Sequence, residues 1–264
     1  HGTRLGERFV KKIFDHAVEN DLSEIYVTIF EKHSGLLGLL LRYGFSRVAQ
    51  KQTQNGTESV LLKRISLKSV SPLQNYPVLD LRTKNCFLLP IHPEFHTRLL
   101  PDSILNNESM SIVQDVSHTN SIHKVYLTAM HGAARLSQGD NLLIYRTGDG
   151  VSPARFRAVV TSVCVVEEIR HIREFSTYEE FHRYCGSYSV FSESELRQFF
   201  QTSRYPYIIR FSYNVAMIRR INRGHLLDNF GFRDGVRWGV DPIDPVTMKN
   251  VMLQGGVNES LIVD

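Results

Sequence analysis

The sequence predicts an α+β protein in two parts, a partial α/β layer at the start and a strand-rich part with inserted helices after it. Helical and strand periodicities alternate over residues 1–65, whereas strand-like runs dominate from residue 84 onward. The stretch 66–83 between them is punctuated by Ser, Pro and Asn and predicts a linker. With 264 residues, 42% of them hydrophobic and 22% charged, the composition is that of a globular protein and excludes disorder.

Charge and cysteine content narrow the class of protein only a little. The formal net charge is +4, which is too mild to identify a nucleic-acid binder by itself. Cys86, Cys164 and Cys185 are far apart and form no CxxC pair, so neither a zinc ribbon nor a disulfide framework is expected, and no metal site. A reduced, cytoplasmic compartment suits such cysteines.

No apolar run approaches the roughly 18 residues of a membrane span, so we expect no membrane partner. Since His1 is not preceded by Met, we interpret the chain as a fragment.

The first part shows a regular succession of elements. Apolar residues at helical spacing predict a helix at 5–20. A β-branched and aromatic run predicts a buried strand, and a second helix follows that ends at Gly44. Two more strands flank Asn55-Gly56, a strong signal for a two-residue hairpin. The strands are predicted at residues 25–30, 45–51 and 57–65, and the second helix at 34–43.

A glycine-rich turn opens the first helix. Such a turn directs free backbone N–H groups and the positive end of the helix dipole toward one point, where a pyrophosphate can bind. Together with the later Leu41-Arg42-Tyr43-Gly44-Phe45 and the closing hairpin, this stretch resembles the C-terminal half of a GNAT-superfamily N-acetyltransferase. The resemblance covers residues 1 to about 65. It implies acetyl-CoA as cofactor, with its pyrophosphate held by the turn Gly2, Thr3, Arg4, Leu5 and Gly6, where Arg4 stands at a usual glycine position.

The resemblance also implies where the chemistry would lie. A substrate amine would attack a thioester, helped by backbone donors to the oxyanion and by a side-chain acid for the leaving thiolate. The tyrosine that commonly serves as that acid in the family is replaced by Leu40. Tyr43 is therefore a candidate acid or a packed aromatic, and His33 is a candidate base or an ordinary surface group. The family's first strands are absent from this sequence, which would leave half of the cofactor cleft without a wall.

The second part is predicted to be a small barrel or strongly bent sheet. Its long apolar run is expected to contain a bulge, because it exceeds the usual strand length. Ser192 and Glu195 form a capping box that starts a helix. The strands are predicted at residues 86–91, 123–129, 141–146, 154–166 and 207–215, and the helices at 93–100, 178–184 and 192–200.

Two segments of this part are similar to the ASCH branch of PUA-like domains. Leu89-Pro90-Ile91-His92-Pro93-Glu94 before a short helix resembles the opening of that domain. The run from Gly139-Asp140 to Tyr145 resembles its "GD, then apolar strand" element. The resemblance implies a barrel over residues 84–264 that holds RNA or a modified base in a cleft. Of the hydrolytic pattern G-x-K-x-x-E-x-R only Lys124 is present, with Leu127 and Ala129 at the acidic and basic positions, so binding is favoured over hydrolysis.

Arginines and aromatic residues crowd the last third of the chain. Basic side chains neutralise phosphates and aromatic faces stack on unpaired bases, so the cluster predicts contact with RNA or another nucleic acid. The alternative is that the aromatics are core and the arginines a solvated face. The cluster contains Arg210, Arg219, Arg220, Arg223, Arg233 and Arg237 with Tyr207, Phe211, Tyr213, Phe230, Phe232 and Trp238. The predicted phosphate contacts are Arg219, Arg220 and Arg223. The predicted cleft residues are Lys124, Tyr145 and Arg146, with Trp238 capping the cleft or plugging the barrel.

Two functions follow from these observations. The first is a GNAT-type N-acyltransferase that uses acetyl-CoA and is tethered to a PUA-like module for nucleic acid. The second is a non-catalytic nucleic-acid-binding protein in which the GNAT-like residues are only a scaffold. Architectures resembling this one also carry a PIN-type nuclease ahead of the GNAT portion, in toxin-like fusions. These residues contain no clustered carboxylates of that kind, and they do not identify an acyl acceptor.

Overall fold

The computed structural model describes residues 4–67, 69, 71–105, 117–151 and 153–264. Ten α-helices lie in these residues, and most of them are short. They are α1 (Leu5–Glu19), α2 (Ser34–Arg42), α3 (Pro72–Asn75), α4 (Pro93–Leu99), α5 (Ser117–Asn120), α6 (Ala154–Arg157), α7 (Tyr178–Cys185), α8 (Glu193–Thr202), α9 (Arg223–Asn229) and α10 (Pro245–Gln254).

The described residues also contain eleven strands in three sheets. The strands are β1 (Glu24–Phe30), β2 (Ser46–Thr53), β3 (Gly56–Arg64), β4 (Leu79–Asp80), β5 (Cys86–Ile91), β6 (His123–Thr128), β7 (Asn141–Arg146), β8 (Val159–His171), β9 (Tyr207–Asn222), β10 (Asp241–Ile243) and β11 (Ile262–Val263).

The first sheet has the order β1–β3–β2 and is antiparallel throughout. The predicted hairpin is confirmed, since Thr53 pairs with Gly56 across the turn and Gly56 has φ +121°. Helices α1 and α2 supply Val10, Phe14 and Leu40 to one core with the sheet, and that core also contains Ile122 of the second part. The first layer therefore completes its hydrophobic core with residues from outside it.

The large sheet has the order β10–β5–β7–β8–β9–β6 and mixes parallel with antiparallel pairs. Its side chains alternate between two cores. Leu143 and Tyr145 of β7 lie in one core, and Leu142 and Ile144 lie in the other. Both faces are thus covered, as an apolar strand of this kind requires. The edge strands β10 and β6 are not paired with each other in the described part of the chain, so of the two predicted alternatives, a small barrel and a strongly bent sheet, these residues form the open sheet.

The long strands β8 and β9 are bent where their register shifts. Ser162 pairs with Ala216, but the next pair is Val160 with Ile221, so four residues of β9 bulge outward opposite one residue of β8. The predicted irregularity in β8 is confirmed, although the strand begins at Val159 because α6 occupies the preceding residues. Bulges redirect the side chains they contain, and this bulge holds Arg219 and Arg220.

The described residues of the segment 66–83 are packed into the protein, in contrast to the predicted linker. Tyr76 is fully buried and its hydroxyl donates to the Tyr213 carbonyl at 3.1 Å. Leu79 is also fully buried, and β4 pairs in parallel with β11 near the end of the chain. Ser and Pro therefore mark turns between packed residues here.

Hydrogen bonds cross the predicted boundaries at several points. Lys63 Nζ donates to the Gln74 carbonyl at 2.6 Å. Arg8 of α1 donates to Asn120 Oδ1 at 3.1 Å, and Asn258 Nδ2 donates to the Val18 carbonyl at 3.0 Å. The stretches 1–65 and 84–264, predicted as separate domains, thus share polar contacts as well as a core in the described residues.

Candidate nucleic-acid interface

Trp238 is the centre of the arginine and aromatic cluster. Its indole Nε1 donates to the Arg233 carbonyl at 2.9 Å, which ties the 230–240 loop back on itself. The ring packs against Tyr145 at a centroid distance of 4.9 Å and against Phe232 at 5.1 Å. Only 8% of Trp238 is exposed. Two of the predicted site residues, Tyr145 and Trp238, are therefore in direct contact.

Arg223 covers the other side of this aromatic group. Its guanidinium carbon lies 4.0 Å from the centre of the Trp238 ring, a cation–π geometry. The guanidinium also donates to the Val236 carbonyl at 3.2 Å and lies 3.6 Å from the Asp234 carboxylate. With 14% of its side chain exposed, Arg223 mainly anchors the 230–240 loop. It leaves little surface for a phosphate.

A cavity of about 560 Å³ opens beside Trp238. This volume is within the range of small-ligand sites and exceeds that of a single base with its sugar. Leu88, Phe230 and Phe232 provide its apolar wall. Arg233 and Arg237 line the cavity and are exposed to solvent. The arrangement can place a flat apolar group against the aromatic wall and an anion against the two arginines.

Two arginines and two carboxylates line this cavity. Arg233 and Arg237 form no ion pair with any residue in the described ranges. The carboxylates are those of Asp241 and Asp244: Asp244 accepts from the Thr247 N–H at 2.9 Å as the N-cap of α10, and Asp241 accepts from the Gly239 N–H at 2.7 Å and lies 4.0 Å from Arg135. The hydrogen bonds with Thr247 lower the pKa of Asp244, so this carboxylate keeps its negative charge. The formal charges of the lining balance, and a phosphate would bind at Arg233 and Arg237, its two cationic members.

Arg219 and Arg220, both predicted phosphate contacts, lie in the β9 bulge and have different surroundings. Arg219 is exposed, and its Nε donates to the Gln254 carbonyl at 2.9 Å. Arg220 is partly buried and donates to the carbonyls of Asp102 and Ile104. Neither residue lines the Trp238 cavity, and Arg223 does not line it either, so the three predicted phosphate contacts are not gathered at that cavity.

Lys124 and Arg146, predicted to line a cleft, are both buried. The Lys124 ammonium donates to the carbonyls of His118 and Thr119, the latter at 3.2 Å. Its side chain is fully buried, so it does not face a nucleic acid in this structure. Arg146 is 6% exposed at the end of β7 and does not line the cavity either. We leave both out of the proposed interface.

The buried ammonium of Lys124 makes stability depend on pH. Burial lowers its pKa from the usual 10.5 to about 7. The unfolded chain therefore holds this proton at pH values where the folded chain has released it. Stability must rise with pH between about 7 and 10.5 on account of this group. We expect the pH dependence of urea unfolding in this window to be weaker in Lys124→Met than in the unsubstituted protein. If the free energy of unfolding changed equally with pH in the two proteins between about pH 7 and 10, this explanation would be contradicted.

The two predicted catalytic side chains have opposite environments. His33 is exposed as the N-cap residue of α2, and its side chain makes no capping hydrogen bond. Tyr43 is fully buried, with its hydroxyl 3.3 Å from His123 Nε2. Burial raises the pKa of Tyr43 well above its usual value. The hypothesis of Tyr43 as an acid for a leaving thiolate is therefore replaced by the alternative, a packed aromatic, because its hydroxyl is enclosed by protein.

A buried polar chain continues from Tyr43, and sequence reasoning missed it. His123 Nδ1 lies 2.6 Å from Glu167 Oε1, and Glu167 Oε2 accepts from Arg210 Nε at 3.1 Å. These residues stand on β6, β8 and β9. Only pairing of distant strands brings them together, so no local spacing could have revealed them.

The predicted coenzyme turn lies only partly within the described residues, because Gly2 and Thr3 fall outside them. Arg4 is the N-cap of α1, and its guanidinium pairs with Glu7 at 2.9 Å and lies 4.2 Å from the centre of the Tyr188 ring. Leu5 is 54% exposed, and Gly6 packs near Leu39. The ionised Glu7 carboxylate stands in the first turn and offsets the positive helix end. The described residues of this turn therefore do not fit a diphosphate, and acetyl-CoA remains a prediction from the resemblance alone.

The described ranges contain no group of three or more His, Cys, Asp or Glu residues able to hold a metal ion. In the same ranges no helix is long and apolar enough to cross a membrane.

No protein-family model matches the sequence, and no curated protein matches it. Among solved structures, the ASCH protein from Zymomonas mobilis is 13% identical with a TM-score of 0.38, over 63% of this chain and 93% of that one. Human THYN1, solved in complex with DNA containing 5-methylcytosine, is 11% identical with a TM-score of 0.37, over 65% of this chain and 98% of that one. A Pseudomonas putida protein is 10% identical with a TM-score of 0.36, over 64% of this chain and 99% of that one. Likenesses at this level do not establish a family for the chain.

Proposed function

We propose that this chain is a nucleic-acid-binding protein that uses the cavity beside Trp238. The observation that supports it most is the pair of exposed arginines, Arg233 and Arg237, on the rim of an aromatic-walled cavity. An arginine guanidinium can donate two hydrogen bonds to one phosphate group, and aromatic rings can stack on any of the bases. A PUA-like, ASCH-type identity of the second part belongs to the same proposal and rests on the sequence resemblance.

The shape of the site favours an unpaired strand. A cavity of about 560 Å³ has room for one base with its sugar, and the aromatic wall would be free to stack on a base that is not already paired and stacked in a duplex. A duplex would have to open or extrude a nucleotide first, at a cost of a few kcal/mol. Single-stranded RNA or DNA is therefore the preferred ligand under this proposal.

The first 65 residues serve as a scaffold in this proposal. Tyr43 and Glu7 are both turned into the protein, where they join α1 and α2 to the second part. The GNAT-type acyltransferase stays a prediction, since its coenzyme turn is lined by a carboxylate in the described residues. Calorimetric titration with acetyl-CoA tests it separately from the nucleic-acid site, and binding at micromolar concentration would restore it.

The single tryptophan provides a direct test. Trp238 is the only tryptophan of the chain, so intrinsic indole fluorescence reports on this cavity alone. We expect a ten-nucleotide oligo(U) or oligo(dT) to change the emission of Trp238 in a saturable titration. The logarithm of the binding constant should fall with log salt by about 0.7 for each phosphate neutralised.

Two outcomes would contradict the proposal. One is oligonucleotide binding, seen by anisotropy of a labelled strand, that leaves the Trp238 emission unchanged. The other is a blunt duplex of equal length that binds more tightly than either single strand. The ratio of the RNA to the DNA affinity identifies the preferred strand in the same experiment.

A further inference from the structure

A second cavity, of about 700 Å³, lies between α1 and the bulge of β9. Lys11, Lys12 and Asp15 line it from α1, and Arg220 lines it from the bulge. Phe14, Val18, Ala216, Ile218 and Val257 add apolar surface. The volume suits a small molecule. None of these residues belongs to the Trp238 cavity.

The acids and lysines of this cavity are paired with each other. Lys11 Nζ lies 3.0 Å from Asp15 Oδ1 and 3.3 Å from Asp102 Oδ2. Lys12 Nζ contacts the same two carboxylates at 3.4 and 3.2 Å. These two cations and two anions therefore balance. Glu19, the remaining acid of the lining, is exposed at the last residue of α1, about 12 Å along the helix from Lys11.

Arg220 is the cationic residue of this lining that has no carboxylate partner among the described residues. It has no ion pair in the described chain, and its only oxygen contacts are the Asp102 and Ile104 carbonyls at 3.2 and 3.4 Å. Its Nε is buried without any hydrogen-bond partner among the described residues. Burial lowers the pKa of this guanidinium, since no carboxylate offsets the loss of solvent. A guanidinium that is partly removed from solvent and has no counter-ion carries a desolvation cost that an anionic ligand would offset.

The backbone around the bulge explains how Arg220 reaches this position. Residues 217–220 lack partners on β8, and the Arg219 N–H donates instead to the Gly255 carbonyl at 3.0 Å. Gly255 and Gly256 allow this approach, because a Cβ on Gly255 would lie 2.6 Å from Met217 Sδ and Gly256 has φ +79°. The bulge is thus held by a glycine turn, and it directs Arg220 toward α1.

We infer that this cavity binds a small ligand with one carboxylate or phosphate group and an apolar body. The anion would accept from Nη1 of Arg220, the guanidinium nitrogen that makes no hydrogen bond to the described residues and is not buried as Nε is. The apolar body would lie against the side chains of Phe14, Val18 and Ala216. This ligand is distinct from the nucleic acid of the proposed function, because the two cavities share no residue.

The test uses phenyl phosphate and benzoate as anionic probes and benzyl alcohol as a neutral probe of similar size. We expect both anions to shift the Nε–H resonance of Arg220 in ¹H–¹⁵N spectra, and the larger shift identifies the preferred anionic group. Arg220→Gln should weaken anion binding at least tenfold. Arg219→Gln is the matched control, since it removes the same charge one residue away and should bind as the unsubstituted protein does.

Several results would overturn the inference. These are equal binding of benzyl alcohol, an unchanged Arg220 Nε–H resonance at saturating anion, or displacement of the probes by oligo(U). Should Arg220→Gln fail to fold, the resonance of the unsubstituted protein still decides, and Arg220→Lys, which keeps the charge, should retain part of the affinity.

Discussion

Replacing Glu7 with Ala is expected to lower the free energy of unfolding by about 2–4 kcal/mol. The Glu7 carboxylate, 7% exposed, accepts hydrogen bonds from Ser121 Oγ and from the Ile122 N–H at 3.1 Å, and it pairs with Arg4. Its removal leaves two buried donors and one cation without a partner. Urea unfolding followed by circular dichroism measures the effect.

Glu19→Ala is the matched control, because Glu19 is exposed at the other end of the same helix. It should change stability by less than about 0.5 kcal/mol. Burial would raise the pKa of Glu7, but the Ser121 hydrogen bond and the charges of His123 and Arg4 outweigh it and lower that pKa below 4.5. The stabilisation is therefore present above pH 4.5 and is lost as pH falls through the folded pKa. Equal effects of the two substitutions would show that Glu7 does not hold the two parts together.

The double substitution Arg233→Gln and Arg237→Gln should reduce affinity for a single strand on the order of tenfold at low salt. The salt dependence should also become shallower, by about 1.4 in log–log slope for two lost phosphate contacts. Trp238 should keep its position, because it is held by the backbone carbonyl of Arg233 and not by that side chain. Anisotropy titrations between 50 and 300 mM salt, roughly the range where such contacts are screened, measure both quantities.

Arg173 and Arg183 offer the control for net charge. Both are exposed at or near α7, away from the Trp238 cavity, so Arg173→Gln with Arg183→Gln removes the same charge elsewhere. If this pair of substitutions weakens binding as strongly as the first, the attraction is a property of the total charge and not of the cavity.

The elements with strong local signals were predicted well from the sequence. Strands at 86–91 and 141–146 have the predicted bounds, and the capping box of Ser192 and Glu195 is present at the start of α8. Within residues 66–83, Ser and Pro signal turns without saying whether the turns are buried, and Tyr76 and Leu79 of this segment are buried in the structure. The run 154–166 was misread at its start, where Pro153 begins a helical turn before the strand.

The candidate site was predictable only in part. Tyr145, Arg223 and Trp238 lie together as an aromatic and arginine cluster, although Arg223 mainly secures the loop. Lys124 shows that the burial of a charged side chain could not be predicted from the sequence. It was predicted to line a cleft, yet every residue of the strand that carries it is buried, which depends on the elements packed against both faces of β6. Arg220 likewise lies in a bulge whose backbone is bonded to the distant residue Gly255, through the Arg219 N–H.

The core shared by α1, α2, Tyr76 and Ile122 has an evolutionary consequence. Domains joined by a flexible linker can be exchanged between genes independently. Parts that bury apolar surface against each other must instead change together at the residues that they share in the core. Replacing the first 65 residues by another sequence would require compensating substitutions at Tyr76 and Ile122. Residues on the two sides of this core are therefore expected to be inherited together.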